Sequence, residues 1–185
     1  MGYTRSTTTL KISVGSSTIS PPAAREARLL VVADSSPLIY LSRVGALDVL
    51  ASAFGEVLVP AIVWEEVVAA RPDSPGISAL RAAAWLQVDS RKLRVLDLGL
   101  DPGETAAILL AEEIHANLLL IDERAGRLVA EGRGLVVRGT LGVLVHARES
   151  GAIVALRPVL DALAAQGFRL SPVLVAEALR RVGET

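Results

Sequence analysis

Four acidic residues stand where a carboxylate can do chemistry: Asp34, Glu66, Glu104 and Asp122. Asp34 follows the apolar run LLVVA and Asp122 follows LLLI. Short β-branched or leucine-rich runs of this length read as buried strands. Each aspartate therefore stands just past the carboxyl end of a strand. Parallel strands share one carboxyl edge, and open α/β sheets bind ligands there. If the two strands are neighbours, both carboxylates come within reach of one ion. Bare carboxylates at close range raise each other's pKa. A divalent cation removes that conflict, and oxygen-only ligands suit Mg2+ or Mn2+. A structural reading competes for Asp34, since Asp and Ser also bond the backbone N–H groups of ordinary turns. Ser36-Pro37 reads as a helix start, with Ser36 as N-cap and Pro37 at the first helical position.

Glu66 lies in VPAIVWEEVVAA. On a regular helix it shares a stripe with Val63, Val67 and Ala70, so it is expected toward the packed face, with Glu65 toward solvent. From the sequence alone, a helix-edge glutamate paired with an arginine is the stronger explanation of Glu66. Glu104 belongs to DPGE, where Asp101 as N-cap and Glu104 at N3 have the spacing of a capping box. From spacing alone, capping accounts for Glu104 fully.

Other chemistries find little support. The chain has no cysteine, so a disulfide framework, a thiolate metal site and a cysteine nucleophile are excluded. Its two histidines, His115 and His146, lack metal-ligand spacing, and no Gly-x-Ser-x-Gly elbow is present. A formal net charge of −1 offers no global field for nucleic acid. No apolar run approaches the roughly 18 to 20 residues that span a bilayer, and the N-terminus has no signal-peptide core. The expectation is a cytoplasmic protein without membrane contact.

The elements that must position the acids follow from periodicity. Strands are expected at Leu29–Ala33, Val57–Val59, Leu118–Ile121 and Leu135–Val137. Helices are expected at Pro37–Arg43, Leu47–Ala53, Ala61–Ala70, Ile77–Ala84, from Pro102 through HA at 115–116, and at Ala125–Glu131, Leu141–Glu149, Pro158–Ala165 and Pro172–Val182. Leu86–Val88 and Val95–Leu96 are ambiguous. Alternating strands and helices imply an α/β fold, a small parallel sheet flanked by helices on both faces. Residues 1–27, rich in Ser and Thr, read as a poorly ordered or appended segment, and residues 28–185 as one domain with its C-terminal helices.

Asp34 with the SSPLI that follows it, the P-x-x-V-x-x-E of Pro60 to Glu66, LDPGETAAILLA and LLLIDERAGRLVA together resemble the PIN-domain family of metal-dependent ribonucleases, and look closest to its VapC-like toxin branch. RGTLGVLVHARESGAI and RPVLDALAAQGFRLS are similar to a subgroup with a GFRLS-type C-terminal extension. The resemblance covers roughly residues 29 to 180. It implies a PIN-like α/β/α fold and an endoribonuclease that hydrolyses phosphodiester bonds with Mg2+ or Mn2+. Carried over by position, the catalytic set is Asp34, Glu66, Glu104 and Asp122. Asp34, Glu104 and Asp122 would be direct metal ligands, Glu66 would act through water or on a second ion, and Ser35 and Glu123 would support them. The resemblance also implies a small antitoxin partner and a homodimer. The segment before Leu29 departs from the family, whose domains commonly begin just before the first Asp.

An RNA substrate needs cations to offset the acids. Arg124, Arg127 and Arg138, with Arg133, are the candidates around Asp122; Arg91, Lys92 and Arg94 form a second basic spot. Solvated surface charge explains them equally well. Aromatic residues make up 3% of the chain, too few to lead one to expect a stacking platform. Two alternatives remain. One is a catalytically silent PIN-like module that binds nucleic acid or protein. The other is a flavodoxin-like phosphoacceptor, which lacks its strand-end lysine here; a dinucleotide-binding domain lacks its glycines after the first strand.

Overall fold

The computed structural model describes residues 29–70 and 72–184. The expectation for residues 1–27 falls outside the described residues.

Five strands form one parallel sheet: β1 (Val31–Ala33), β2 (Val57–Pro60), β3 (Leu86–Asp89), β4 (Leu118–Leu120) and β5 (Val137–Arg138). Their order is β3-β2-β1-β4-β5. The chain moves outward from β1 to β3, then crosses back to place β4 on the other side of β1. The reversal falls between β1 and β4, and such switch points are where open α/β sheets bind ligands. Ala33 pairs with Leu120, so the two central strands end level.

β1 and β4 are buried at every residue because helices cover both faces, which is why their sequences run apolar rather than alternate. Val32, Leu119 and Ile121 face the core built with Ala107, Ile108, Leu110, Ala111 and Ala130. Those residues belong to α5 (Pro102–Glu113) and α6 (Arg124–Gly132). Val31, Ala33, Leu118 and Leu120 face the larger core on the opposite side. That side is covered by α1 (Ser35–Arg43), α2 (Val49–Phe54), α4 (Ile77–Ala82), α7 (Thr140–Glu149), α8 (Arg157–Ala165) and α9 (Pro172–Arg181), with α3 (Ala61–Trp64) beside β2.

Two local expectations are corrected, and two ambiguous stretches are resolved. α1 starts at Ser35 with Asp34, not Ser36, as its N-cap residue, which places Pro37 in the third helical position. The expected helix over Ala61–Ala70 is α-helical only to Trp64, and Glu65–Ala69 is a π-helical turn. The ambiguous Leu86–Val88 is an edge strand in which Gln87 and Val88 are exposed and Leu86 is buried, hence its mixed pattern. Val95–Leu96 joins no element, and Val95 is fully exposed. Among the described residues no helix is long and apolar enough to cross a membrane.

Candidate active site

Asp34 is held by the end of β1. Its backbone is extended, and its N–H donates to the carbonyl of Leu120 at 2.9 Å, tying the first strand end to the fourth. The residue is 1% exposed, and its Oδ1 has no hydrogen-bond partner. Burial pushes its carboxyl up from the ordinary 3.8 to about 7; the backbone N–H groups of Ser35 and Ser36 oppose this, and the charges of Asp101 and Glu104 add to it. Ser35, half-buried at the start of α1, serves Asp34 through that N–H.

Glu104 enters from the first turn of α5. Asp101 caps this helix, its Oδ1 accepting the Glu104 N–H at 2.8 Å, and Pro102 fills the first helical position. This half of the cap uses the backbone of Glu104, while the Asp101 backbone N–H in turn lowers the Glu104 carboxyl, as in a capping box. The carboxylate itself is buried, and Oε1 has no partner. Its pKa is raised, first by burial and next by the neighbouring charge of Asp101.

Asp122 stands two residues beyond the end of β4. Both oxygens are engaged by one residue: Oδ1 accepts the Thr140 N–H at 2.7 Å and Oδ2 accepts the Thr140 hydroxyl at 2.6 Å. Burial raises its pKa, the two Thr140 bonds and the Arg127 charge lower it, and Glu123 raises it further. Glu123 is the exposed N-cap residue of α6, and its charge is felt by Glu104 as well.

Glu66 corrects its expectation. It is exposed, as is Glu65, because the π-helical turn rotates the chain away from the regular stripe. Such turns recur at functional sites. The side chain still leans toward α5: Oε2 sits 3.0 Å from where a Cβ on Gly103 would lie, with Asp101 Oδ1 at 3.3 Å from the same point.

Glycines give three of the acids their room. A Cβ on Gly126 would lie 2.6 Å from Glu104 Oε1 and 2.5 Å from Ile121 Cδ1, and one on Gly139 would lie 2.8 Å from Asp122 Oδ1. Gly103 does the same for Glu66, more loosely. Among the described residues no three Asp, Glu, His or Cys side chains stand close enough together to hold an ion as a set. The cluster instead presents two orphaned, buried carboxylate oxygens in a field of further negative charge. That donor set fits a hard divalent cation.

Beside the acids runs a cleft of about 780 Å³, lined by Asp122, Glu123, Arg127, Arg138 and Arg169 among others. Arg124 is exposed at the start of α6 and does not line it. Arg133 is corrected: it pairs with Glu112, away from the acids, and Arg94 pairs with the same carboxylate. Arg91 pairs with Asp89, so the second basic spot is largely spoken for by carboxylates.

Sequence reasoning missed Thr140, the charge of Asp101 at the site, and Arg169. Thr140 was findable. It follows β5 as Asp34 follows β1 and Asp122 follows β4, a small polar residue at a third strand-to-helix turn of the same edge.

Residues 30–184 match a protein-family model described as a PIN domain. No curated protein and no solved structure matches the chain.

Proposed function

The chain belongs to the PIN-domain family, and on that premise we propose that it is a Mg2+- or Mn2+-dependent endoribonuclease. The observation that carries this is the pair of buried, unpartnered oxygens, Asp34 Oδ1 and Glu104 Oε1, in one acidic cluster at the sheet's switch point. Structural carboxylates are normally bonded when buried.

In this reading Asp34, Glu104 and Asp122 hold the cation. The chemistry a divalent ion would supply there is activation of water and neutralisation of charge on the phosphate and the leaving oxygen. The protein's own part is orientation. Thr140 fixes both oxygens of Asp122 yet leaves each a free lone pair. The strand-end bond from Asp34 N–H to Leu120 sets the first acid against the fourth strand. Asp34 gives up the proton that burial lets it hold near neutral pH. Glu66, solvent-exposed beyond Gly103, serves as the outer base that takes a proton from water. Arg127 and Arg138 face the polynucleotide from the cleft, and Glu123 supports the acidic edge. Arg124 lies outside that cleft and contributes at most a peripheral contact.

On the strength of the sequence resemblance alone, we extend the proposal to a cytoplasmic toxin that pairs with a small antitoxin and forms a homodimer. The test is RNA cleavage by the full chain in Mn2+ and in chelator. Cleavage is expected only with the metal and only without the Asp34→Asn change. Equal cleavage by Asp34→Asn, or full activity in chelator, overturns the assignment. RNA binding without cleavage in either condition favours the silent binding module.

A further inference from the structure

The GFRLS stretch near the C-terminus has no role in the chemistry above. It forms the turn between α8 and α9, and it lines the far side of the cleft that begins at Asp122 and Glu123. The turn is pinned at both ends. Gly167 closes α8 with φ of +86°, and the Phe168 N–H reaches back to the Leu163 carbonyl at 3.0 Å, a helix-ending arrangement that needs glycine at the left-handed position. Ser171 then caps α9 by accepting the Leu174 N–H at 3.2 Å. Phe168 and Arg169 are thus presented from a fixed frame.

Two features of this wall face the cleft. The first is the arginines. Among the described residues, Arg91, Arg94, Arg133, Arg148, Arg180 and Arg181 each pair with a carboxylate. Arg127, Arg138 and Arg169 line the cleft, and among the described residues no ion pair or side-chain hydrogen bond holds their guanidinium groups, although the Arg127 charge acts on Asp122 and the Arg138 charge on Glu149. Arg43, Arg81, Arg124 and Arg157 also lack an ion pair among the described residues, but they do not line this cleft. Guanidinium groups gathered unpaired along one cleft are suited to a chain of phosphates. The second is aromatic. The protein has two Phe and two Tyr, yet Tyr40 and Phe168 meet in this cleft with ring centroids 4.7 Å apart and planes at 58°. Both rings are half-buried, with one side supported by the core.

We propose that the α8–α9 turn is a nucleotide subsite of this enzyme: Phe168, backed by Tyr40, stacks on a base of single-stranded RNA, and Arg169 joins Arg127 and Arg138 on its phosphates. The choice of RNA rests on the nuclease reading above. Stacking is indifferent to base identity, so the subsite aligns the strand rather than reading its sequence.

The experiment is fluorescence anisotropy of a short, labelled, mixed-sequence single-stranded RNA with the full chain in chelator, over a series of salt concentrations. Arg169→Ala is expected to weaken binding about 5-fold and to flatten the salt slope by roughly 0.7 to 1, the loss of one phosphate contact. Phe168→Leu is expected to weaken binding about 5- to 10-fold with the salt slope unchanged. Phe168→Tyr, which keeps the ring, is expected to retain binding, and it stands in if the Leu variant melts early. Arg133→Ala, away from the cleft, should match wild type. Wild-type affinity and slope in Arg169→Ala would overturn the subsite while leaving the nuclease reading intact. If the wild-type chain binds but does not cleave RNA in Mn2+, the subsite stands and the nuclease reading falls. If wild type binds no RNA, both fall.

Discussion

Thr140 donates both its backbone N–H and its hydroxyl to Asp122, one to each carboxylate oxygen. This pair of hydrogen bonds joins the turn after β5 to the turn after β4, and Thr140 is fully buried. Thr140→Val keeps the shape and removes the hydroxyl, leaving Asp122 Oδ2 with no donor in a desolvated place. The expected loss is about 1–3 kcal/mol in urea unfolding. RNA cleavage should fall more than stability does, because Asp122 loses its fixed orientation. Thr140→Ser should restore both, and a Ser variant as poor as Val would contradict an orienting role for the hydroxyl.

Asp34 makes a second expectation about pH. Its carboxyl titrates at about 7 in the fold and near 3.8 when unfolded. The folded state therefore holds a proton that the unfolded state has released, so unfolding free energy falls as pH rises between those values. The stabilisation is complete below about pH 4 and gone above about pH 7. Asp34→Asn carries no such charge. In metal-free buffer it should melt higher than wild type at pH 8, and the gap should narrow below about pH 7 and close at about pH 4. Raised carboxyls at Glu104 and Asp122 add slopes of the same sign, so the comparison is the difference between variant and wild type. Added Mn2+ should stabilise wild type at pH 8 and leave Asp34→Asn unmoved. Parallel pH profiles for the two proteins would refute the buried-charge account of Asp34.

Gly126 offers a test that needs no assay of activity. A methyl group there meets Glu104 Oε1 at 2.6 Å and Ile121 Cδ1 at 2.5 Å. Neither neighbour has an open side to move into, since Glu104 and Ile121 are both buried. Glycine to alanine in a helix interior ordinarily stabilises, by up to about 1 kcal/mol. Here overpacking should reverse the sign, with a net loss of about 1–3 kcal/mol. Gly132→Ala on the same helix meets no atom within 4 Å and should be neutral or stabilising. Similar effects at the two glycines would show that the acidic pocket is looser than these contacts make it.

These residues mark what was legible in the sequence. Asp34 and Asp122 could be placed on one edge because a strand is a local pattern and parallel strands share a direction; β1 and β4 are indeed neighbours. The capping of α5 by Asp101 was legible for the same reason, since caps act over three residues. Glu66 was misplaced because a π-helical turn depends on packing, and no local signal announced that the 3.6-residue period would break at Glu65. Arg133 was misassigned because its partner, Glu112, lies 21 residues away in sequence. The pairing of Tyr40 with Phe168 joins the first helix to the last turn, so counting aromatic residues gave no view of it.

Glu104 is where capping and catalysis can be separated. Its N–H makes the capping bond to Asp101, and that bond survives any change of its side chain. Its carboxylate is buried, has its pKa raised by burial and the Asp101 charge, and leaves Oε1 unpartnered against Gly126. Glu104→Gln keeps the size and removes the charge. If the side chain serves only the helix, Gln fills the role and activity is kept. If it holds a cation, Gln is a poor substitute and the cluster loses a charge that its surroundings already disfavour. Metal-free stability should then stay within about 1 kcal/mol of wild type or rise, while metal-dependent cleavage falls at least about 100-fold, more than the loss of a partner that only supports a metal ligand costs. The rise in melting temperature on adding Mn2+ should shrink in parallel, a readout that does not pass through RNA. Full cleavage and a full Mn2+ response in Glu104→Gln would reduce the ion's ligands to Asp34 and Asp122, and the unpartnered Oε1 would need a different explanation.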